Sequence, residues 1–221
     1  MRKVKESTRE KLIEVSKRLF LEKTISQVTI QDIALESKIG EATVYRYFGK
    51  KINLVVASAT SISKDVVKDY FIFSDNDSGY EAIKRFYGIY LYVYENYIDY
   101  FKFLNDFDSY LEIEPKSADD EYEDSINAYK EVFLKGYEKG VLDNTILKLD
   151  DVDTFYYSTT LALLNLCKKV AKEKSILKSD NLYDGKKIIK NLINIILKSL
   201  KKEEERWIQR DLQKNKCGFL R

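Results

Sequence analysis

Residues 29–52 read TIQDIALESKIGEATVYRYFGKKI, and this stretch decides the fold. Thr29 and Asp32 have the spacing of a capping box at the start of a helix. A short turn at residues 37–40 separates that helix from a second one at residues 41–47. The first helix has an apolar face at helical spacing, formed by Ile30, Ile33 and Ala34. Together these features predict a helix-turn-helix unit.

The second helix and the residues after it have the chemistry of a DNA reader. Val44 and Phe48 face inward, so the polar side of this helix is free to enter a major groove. The Gly49-Lys50-Lys51 segment ends the helix and places two cations and free backbone amides at the start of the next one, where phosphate binds. We expect base contacts from Thr43, Tyr45 and Arg46, with Glu41 and Ala42 as further candidates, and DNA-backbone contacts from Thr29, Tyr47 and Lys51.

Several of these residues have a second interpretation. Thr29 could serve only as a helix cap. Tyr45 could be a packing residue with its hydroxyl on phosphate, and Arg46 could bind phosphate in place of guanine. Glu41 would repel phosphate unless it accepts a hydrogen bond from a cytosine amine.

The pattern I-x-x-I-A from residue 30, followed by T-x-Y-x-Y-F-x-x-K-x-x-L from residue 43, resembles the N-terminal signature of TetR-type transcriptional regulators. The resemblance covers roughly residues 8–55. It departs at Ser37 and Lys38, where the family usually has a small residue and glycine. It departs again at residues 40–42, where Gly-Glu-Ala replaces the usual serine at the start and glycine before the threonine. These departures leave the expected fold intact, but no operator sequence can be carried over.

The composition predicts a small N-terminal module and a larger body, since the chain has 221 residues, 44% of them apolar and 33% charged. It has no run of about 18 apolar residues, so we expect no transmembrane helix. Its N-terminus is basic but lacks the apolar core of a secretory signal. Cys167 and Cys217 lack metal-ligand spacing, which favours a reducing, cytoplasmic location, although a disulfide between them is possible.

The sequence contains no histidine. The commonest general base, metal ligand and pH switch is therefore missing. A Gly-rich phosphate loop, a Ser nucleophile elbow and a CxxC motif are missing as well. Paired carboxylates remain formally available, but nothing singles out a pair. We therefore expect no enzyme, and no catalytic residue, metal or cofactor.

Charge is unevenly distributed along the chain, although the net charge is only +2. Residues 1–51 hold twelve Lys or Arg and seven Asp or Glu, while the remaining residues hold 26 against 29. A basic segment that coincides with the helix-turn-helix is what phosphate neutralisation requires. Charge alone would suit a solvated basic tail equally well, so the motif is what gives it meaning.

The rest of the pattern predicts an all-α chain, because one proline and eight glycines interrupt it rarely. Ser7 and Glu10 have capping-box spacing for a first helix that ends near residue 23. Ser78 and Glu81 cap a later helix that ends near residue 105. The stretch at residues 108–124 is acidic and contains Pro115, so we expect a loop there that leads into a helix near residues 118–140. The other expected helices are residues 50–71, 118–140, 150–174 and 181–206.

Aromatic residues are concentrated between residues 80 and 110, which contain eight Tyr and four Phe. A core that needed only bulk would use Leu and Phe, because each buried Tyr hydroxyl needs a partner. The pattern therefore favours a ligand cavity suited to a flat or cationic organic molecule, and a Tyr-rich core without a ligand is the alternative. The candidate ligand-binding residues are Tyr87, Tyr90, Tyr94, Tyr97 and Phe101 on one helical face, with Tyr129, Phe133, Tyr156 and Thr159 from facing helices.

The last two expected helices have apolar faces that are too wide for packing within one chain. In residues 150–174 the face is widened by Leu161, Leu164 and Cys167. Residues 181–206 carry two adjacent stripes, Ile188, Leu192, Ile195 and Ile189, Ile193, Ile196, Leu200. Two such helices from each of two chains would form a four-helix dimer interface. A monomer with a broad core is the alternative.

The TetR resemblance implies the same dimer and an effector pocket in the C-terminal part. The chain then divides into a helix-turn-helix DNA-binding domain, residues 1–52, and a helical effector-binding and dimerisation domain, residues 53–221. We expect a homodimeric repressor that binds a palindromic operator in double-stranded DNA, with half-sites about one turn apart. A small aromatic or cationic effector would release it by changing the tilt of the helix at residues 50–71. The alternative is a helical protein-interaction adaptor of the same fold that does not read DNA.

Overall fold

Nine α-helices make up the part of the chain that the computed structural model describes, namely residues 2–67, 77–113, 120–172 and 184–202, and no strand occurs among these residues. The all-α fold class is confirmed. By length and hydropathy, none of the described helices qualifies as a bilayer-spanning segment. The helices are α1 (Arg2–Glu22), α2 (Ile30–Ser37), α3 (Glu41–Phe48), α4 (Lys51–Val67), α5 (Gly79–Asn96), α6 (Ile98–Ile113), α7 (Asp120–Leu142), α8 (Val152–Val170) and α9 (Gly185–Leu200).

The predicted helix-turn-helix is present as α2 and α3. Thr29 caps α2, since its Oγ1 accepts a hydrogen bond from the Asp32 amide at 3.1 Å. The Asp32 carboxylate accepts in return from the Thr29 amide at 2.8 Å, so both halves of the capping box are formed. Gly40 is the N-cap of α3 and has an extended backbone. The side chains buried between these helices and α1 include Ile30, Ile33, Ala34, Val44 and Phe48.

The turn between α2 and α3 closes although it lacks the usual glycine. Lys38 takes the left-handed conformation at φ 56° and ψ 35°. Its amide donates to Leu35 O at 3.2 Å and the Ile39 amide donates to Ala34 O at 3.0 Å, which satisfies the last carbonyls of α2. For a residue other than glycine, the left-handed backbone conformation costs roughly 1–2 kcal/mol of conformational free energy. The departure from the family pattern at residue 38 therefore puts a strained backbone conformation into the turn, which closes nevertheless.

The long helix α4 joins the helix-turn-helix to the body of the protein. It packs against α1 and α3 of the N-terminal part and against α6 and α7 of the body. Leu54, Val55, Ala59 and Ile62 of α4 are buried. The helix α5 lies at the centre of the body, because it contacts each of α6, α7, α8 and α9. Ser78 caps α5 as predicted, with its hydroxyl accepting from the Glu81 amide at 3.2 Å.

The first helix begins earlier than its sequence signal. Residues from Arg2 onward are helical, so Ser7 lies inside α1 and the predicted capping box at Ser7 and Glu10 is wrong. Ser7-x-x-Glu10 spacing also occurs within helices, where the amides are already bonded to preceding carbonyls. The inner face of α1 is formed by Leu12, Ile13, Leu19 and Phe20, which are buried.

The expected single helix ending near residue 105 is two helices. The first, α5, ends at Asn96, and Tyr97 has a non-helical backbone at φ −141° and ψ 45°. The second, α6, continues to Ile113, so the predicted loop at residues 108–124 is wrong for residues 108–113. Neither glycine nor proline marks the break. Its cause is tertiary, because α6 turns to pack its aromatic side against α1, α4 and α8, burying Phe101, Phe103 and Phe107.

The last helix ends before the expected residue 206. Lys201 is extended and pairs with Ile146, while the Lys202 amide donates to Thr145 O at 3.2 Å. The chain therefore leaves α9 to pair with the turn after α7. Parts of other expected elements lie outside the described residues: 68–71, 114–119, 173–174, 181–183, 203–206 and Cys217. Cys167 is buried, and burial raises the pKa of its thiol to about 12.

Candidate functional site

The outer face of α3 is the first candidate site. Val44 is 0% exposed and Phe48 7%, so these two residues anchor α3 from inside. The opposite face is open to solvent, and Tyr45 is 51% exposed there. Among the residues predicted to contact bases, Glu41, Ala42, Tyr45 and Arg46 are exposed and Thr43 is half-buried. The structure thus brings the predicted base-contacting residues onto one short helix with a polar surface.

Arg46 is the most available cation on this face. Its guanidinium carbon lies 5.7 Å from the centroid of the Tyr47 ring. Among the described residues no carboxylate forms a salt bridge with it. Tyr47 is half-buried and its ring also contacts Phe48, with centroids 6.5 Å apart. Stacking on a fixed ring restricts Arg46 without neutralising it, which suits recognition of a base edge or a phosphate.

The residues predicted to contact the DNA backbone differ in their surroundings. The Thr29 hydroxyl donates to Asp32 at 2.6 Å, so it is engaged in the cap although the residue is exposed. Lys51 is half-buried: its amine donates to Ile25 O and lies 5.3 Å from the centroid of the Tyr110 ring. In this position the Lys51 amine faces protein, and a role for it at phosphate stays a prediction.

Lys50 is the exposed cation of the Gly49-Lys50-Lys51 segment. Sequence spacing placed both lysines at the start of α4, and the sequence-based prediction named Lys51 as the DNA-backbone contact. The choice of Lys50 instead follows from the fold, because the first turn of α4 presents Lys51 to α6 and Lys50 to solvent. Burial lowers the pKa of Lys51, and the nearby carboxylates of Asp106 and Asp32 act in the opposite direction.

The second candidate site is a cavity of about 230 Å³ in the body of the protein. Residues of α4, α5, α6, α7 and α8 line it, and most of the lining is apolar or aromatic. Of the nine residues predicted to bind a ligand, the structure brings four to this cavity: Tyr90, Phe101, Tyr129 and Tyr156.

The other five predicted ligand residues do not line the cavity. Tyr87 is fully buried and its hydroxyl lies 2.6 Å from Thr159 Oγ1, so these two satisfy each other. Phe133 is fully buried among aromatic rings. Tyr94 is half-buried and its hydroxyl lies against Gly185. Tyr97 is 47% exposed at the break between α5 and α6, since the helical face drawn from the sequence does not continue past Asn96.

Several cavity residues were missed by the sequence reasoning. Ala59 and Ser63 on α4 leave room for the cavity because their side chains are small. Tyr100 and Leu104 on α6 reach it only because of the helix break. The sequence could have indicated Ala59 and Ser63, because both are small residues on the inner face of a helix that is otherwise rich in Val and Ile.

Two of the hydroxyl groups that line the cavity lie within hydrogen-bond distance of each other. Ser63 Oγ and the Tyr129 hydroxyl are 2.8 Å apart. Burial raises the pKa of Tyr129 to about 12 and that of Tyr156 to about 12. These phenols are therefore neutral at physiological pH. The two charged lining residues, Asp108 and Lys168, form an ion pair with 2.5 Å between Oδ2 and Nζ.

Comparison with known proteins supports both the helix-turn-helix and the overall helical fold described above. Residues 12–58 match the family model of bacterial regulatory proteins of the tetR family. A TetR transcriptional regulator from Rhodococcus sp. RHA1 is 12% identical, with 90% of this chain and 100% of that chain covered and a TM-score of 0.61. A transcriptional regulator from Saccharomonospora viridis, solved in complex with choline, is 16% identical, with 90% and 100% covered and a TM-score of 0.65. RolR, solved with resorcinol, is 16% identical, with 90% of each chain covered and a TM-score of 0.61.

At these identities the solved structures establish the fold alone, while the likeness to the tetR family rests on the N-terminal match. No curated protein matches the sequence. The fold and the two sites define a helix-turn-helix protein whose helical body contains an aromatic cavity. In its N-terminal segment the chain is similar to the tetR family of bacterial regulatory proteins, whose model matches residues 12–58.

Proposed function

We propose that the protein is a homodimeric, ligand-responsive transcriptional repressor that binds a palindromic operator and acts in the cytoplasm. The observation that carries the proposal is the exposed polar face of α3, with Tyr45 and Arg46 open to solvent on a capped helix-turn-helix. The exposed cations Lys38 and Lys50 flank this helix, as contact with DNA phosphates requires. Selection from random duplex DNA across a salt series tests it. Enrichment of one palindrome with a steep salt slope is the expected result, and weak, sequence-blind binding would contradict it.

Replacing Arg46 with alanine is expected to lower operator affinity about tenfold or more and to relax base preference at one position of each half-site. The reason is that a bidentate arginine–guanine contact is worth roughly 1–3 kcal/mol. Lys50→Ala should weaken binding to all sequences evenly and lower the salt slope by about one. Fluorescence-anisotropy titrations at several salt concentrations measure both effects.

Lys135→Ala is the matched control, because this lysine is exposed on α7 in the body of the protein. It should leave both affinity and salt slope unchanged. If Arg46→Ala left operator affinity intact, α3 would not be the reading helix. Lys51→Glu is a poor test, since the amine of Lys51 is held between Ile25 and Tyr110 and the substitution would disturb packing.

The effector part of the proposal is supported by the cavity. Its volume of about 230 Å³ and its aromatic lining suit a small organic molecule. Two structures with the same fold were solved with small organic molecules, choline in one and resorcinol in the other. Choline and resorcinol are the ligands in the structures of those two proteins. For this chain the comparison supports ligand binding in the helical body and leaves the ligand to be found.

The switch in the proposal has two possible mechanical routes from the cavity to α3. The helix α4 lines the cavity with Ala59 and Ser63 and continues directly into the helix-turn-helix. The helix α6 lines it with Tyr100 and Phe101, and it also holds the turn before α2, where Asp106 Oδ2 accepts a hydrogen bond from the Ile25 amide at 2.5 Å. A ligand that prefers one position of these helices shifts DNA binding by its differential affinity.

Removing the Asp106 carboxylate is expected to loosen the contact between α6 and the turn before α2. Asp106→Ala leaves the Ile25 amide without its acceptor, which costs roughly 1–3 kcal/mol. Exchange of that amide with deuterium should accelerate about tenfold or more. Asp106→Asn retains a carbonyl acceptor and should show a smaller change. Amide-resolved hydrogen exchange measures the rate at Ile25 in the parent protein, in Asp106→Ala and in Asp106→Asn.

Asp99→Ala serves as the control on the same helix. Asp99 pairs with Lys102, three residues away on α6, at 3.0 Å. Its removal should leave exchange at Ile25 unchanged. An Ile25 amide that exchanges at the same rate in Asp106→Ala would show that α6 does not hold this turn in solution.

A further inference from the structure

Two tyrosine hydroxyls in the cavity have no hydrogen-bond partner among the described residues. These belong to Tyr90 on α5 and Tyr156 on α8, and both residues line the cavity. Tyr156 is only 6% exposed, and its ring is fixed by Phe133 and Tyr157, each with centroids 5.1 Å away. Among the described residues, the only completely buried side-chain oxygen without a hydrogen-bond partner is Ser16 Oγ. The hydroxyl oxygens of Tyr90 and Tyr156 are therefore not completely buried. Both oxygens therefore open onto the cavity.

The neighbouring hydroxyls are satisfied. Tyr87 bonds to Thr159 at 2.6 Å, and Tyr129 lies 2.8 Å from Ser63 Oγ. Thr160 Oγ1 donates to the carbonyl of Tyr156 at 2.7 Å. With these neighbouring hydroxyls satisfied, the two that are left without a protein partner at the cavity are suited to bind a ligand, because a hydroxyl removed from water needs a partner.

The two free hydroxyls act as neutral donors. Burial raises the pKa of Tyr90 well above its ordinary value and that of Tyr156 to about 12. The groups nearest the Tyr90 hydroxyl are the phenols of Tyr156, Tyr87 and Tyr129 and the thiol of Cys167. All of these are uncharged at neutral pH, so none of the groups named beside the Tyr90 hydroxyl carries a charge.

Among the described lining residues, a charged ligand would find no free group of opposite charge. The charged lining residues Asp108 and Lys168 are already paired with each other, and the Asp108 side chain is 56% exposed. An anion or a cation beside the hydroxyls of Tyr90 and Tyr156 would lose its hydration without gaining an opposite charge. The arrangement therefore disfavours ionic ligands of either sign.

The volume limits the size of the ligand. A cavity of about 150 Å³ holds benzene, and this one is about 230 Å³. It accordingly has room for one substituted ring or two fused rings. The side chains of Phe86 and Phe101, which line it, offer flat apolar surfaces to such rings.

We propose that the cavity binds an uncharged planar molecule of one or two rings that carries two hydrogen-bond acceptors, one for the hydroxyl of Tyr90 and one for that of Tyr156. The inference rests on the proposed function, since it takes the cavity as the effector site. It narrows the effector from aromatic or cationic molecules in general to uncharged acceptors.

Four probes of similar size test the proposal by calorimetry on the full-length protein without DNA. Coumarin is uncharged, planar and has two oxygen acceptors, and naphthalene has the same two rings without acceptors. Coumarin-3-carboxylate adds a negative charge, and N-methylquinolinium carries a positive one. Coumarin should bind most tightly of the four. Its affinity should stay constant from about pH 6 to about pH 9, because phenols with such raised pKa values stay protonated in this range.

Tyr90→Phe and Tyr156→Phe remove one oxygen each and should each weaken coumarin binding about threefold to tenfold while leaving naphthalene binding unchanged. Tyr94→Phe is the control, because Tyr94 lies on the same helix as Tyr90 but outside the cavity. The melting temperatures of Tyr90→Phe and Tyr156→Phe should equal or exceed that of the parent protein, since neither substitution removes an internal hydrogen bond.

Three results would overturn the inference: N-methylquinolinium or the carboxylate binding as tightly as coumarin, coumarin binding that ignores both Tyr→Phe substitutions, or no coumarin binding. The DNA selection is independent of these measurements. A protein that selects a palindrome but does not bind coumarin loses this inference and keeps the proposed DNA-binding function. A protein that binds coumarin through Tyr90 and Tyr156 but selects no DNA keeps this binding site and loses its role in repression.

Discussion

Glutamate in place of Ile195 is expected to convert the proposed dimer into monomers and to lower operator affinity about a hundredfold or more. Two linked reading heads bind a palindrome with an avidity that can exceed single-site binding by roughly 10²–10⁴. A monomer loses all of this gain. Size-exclusion chromatography with light scattering measures the mass, and anisotropy titration with operator DNA measures the affinity.

The structure supports this choice of residue. Ile195 is 56% exposed on α9, and Leu161 is 53% exposed on the adjoining helix α8. Of the two stripes predicted on α9, Ile189, Ile193, Ile196 and Leu200 are buried in the protein's own core. In the other stripe Ile195 is exposed while Ile188 and Leu192 are half-buried, so apolar surface remains there for a second copy to cover. Ile195 is a cleaner test than Leu161, because Leu161 also lines the cavity.

Leu142→Glu is the matched control for this experiment. Leu142 is also an exposed apolar residue, at 86%, but it lies at the end of α7 and outside the proposed interface. Its substitution should leave both mass and operator affinity unchanged. An Ile195→Glu protein that remains dimeric would show that the α8 and α9 faces are not the interface.

Alanine in place of Gly79 is expected to lower the stability of the protein by about 3 kcal/mol or more, since overpacking against backbone cannot be relieved by a side-chain rotation. For a chain of this length that corresponds to a melting temperature lower by roughly 6–12 °C. Thermal unfolding followed by circular dichroism measures the change.

The reason lies in the close approach of α5 and α7. A Cβ atom on Gly79 would overlap the backbone of Gly140 and of Lys139. The same contact fixes the start of α5, since the Gly79 amide donates to Asp143 Oδ2 at 2.7 Å and the Tyr80 amide to Thr145 Oγ1 at 3.0 Å. Accommodating a methyl group would require these helices to separate and these hydrogen bonds to lengthen.

Gly40→Ala is the control, because a Cβ atom there would meet nothing within 4 Å. Losing a glycine at this N-cap should cost less than about 1 kcal/mol. If Gly79→Ala melted at the temperature of the parent protein, α5 and α7 would be further apart in solution than in this structure.

Much of the helix-turn-helix was predictable from local sequence. The cap at Thr29, the buried Ile33 and Val44 and the break at Gly49 depend on residues within four positions of one another. Such interactions are formed between neighbours in the chain and do not require the rest of the fold. The same locality explains the successful prediction of the cap at Ser78.

The candidate sites were less predictable where they depend on distant residues. Periodicity placed Tyr97 and Phe101 on one helical face, but the turn of α6 toward α1 and α8 separates them. Tyr97 is exposed as a result, while Phe101 lines the cavity. Nothing near residue 97 in the sequence indicates this break, because no glycine or proline is present there.

By itself, the sequence determined that this chain is helical, that residues 29–52 form a helix-turn-helix, and that Arg46 stands on its outer face. These follow from helix periodicity and capping, which act over one or two turns. Only the tertiary structure decided that Lys51 points inward while Lys50 stays exposed, and that Tyr90 and Tyr156 share a cavity. Those outcomes depend on how α6 packs against the turn before α2 and on where α5 meets α8. Packing of this kind joins residues far apart in the chain, and no local pattern records it.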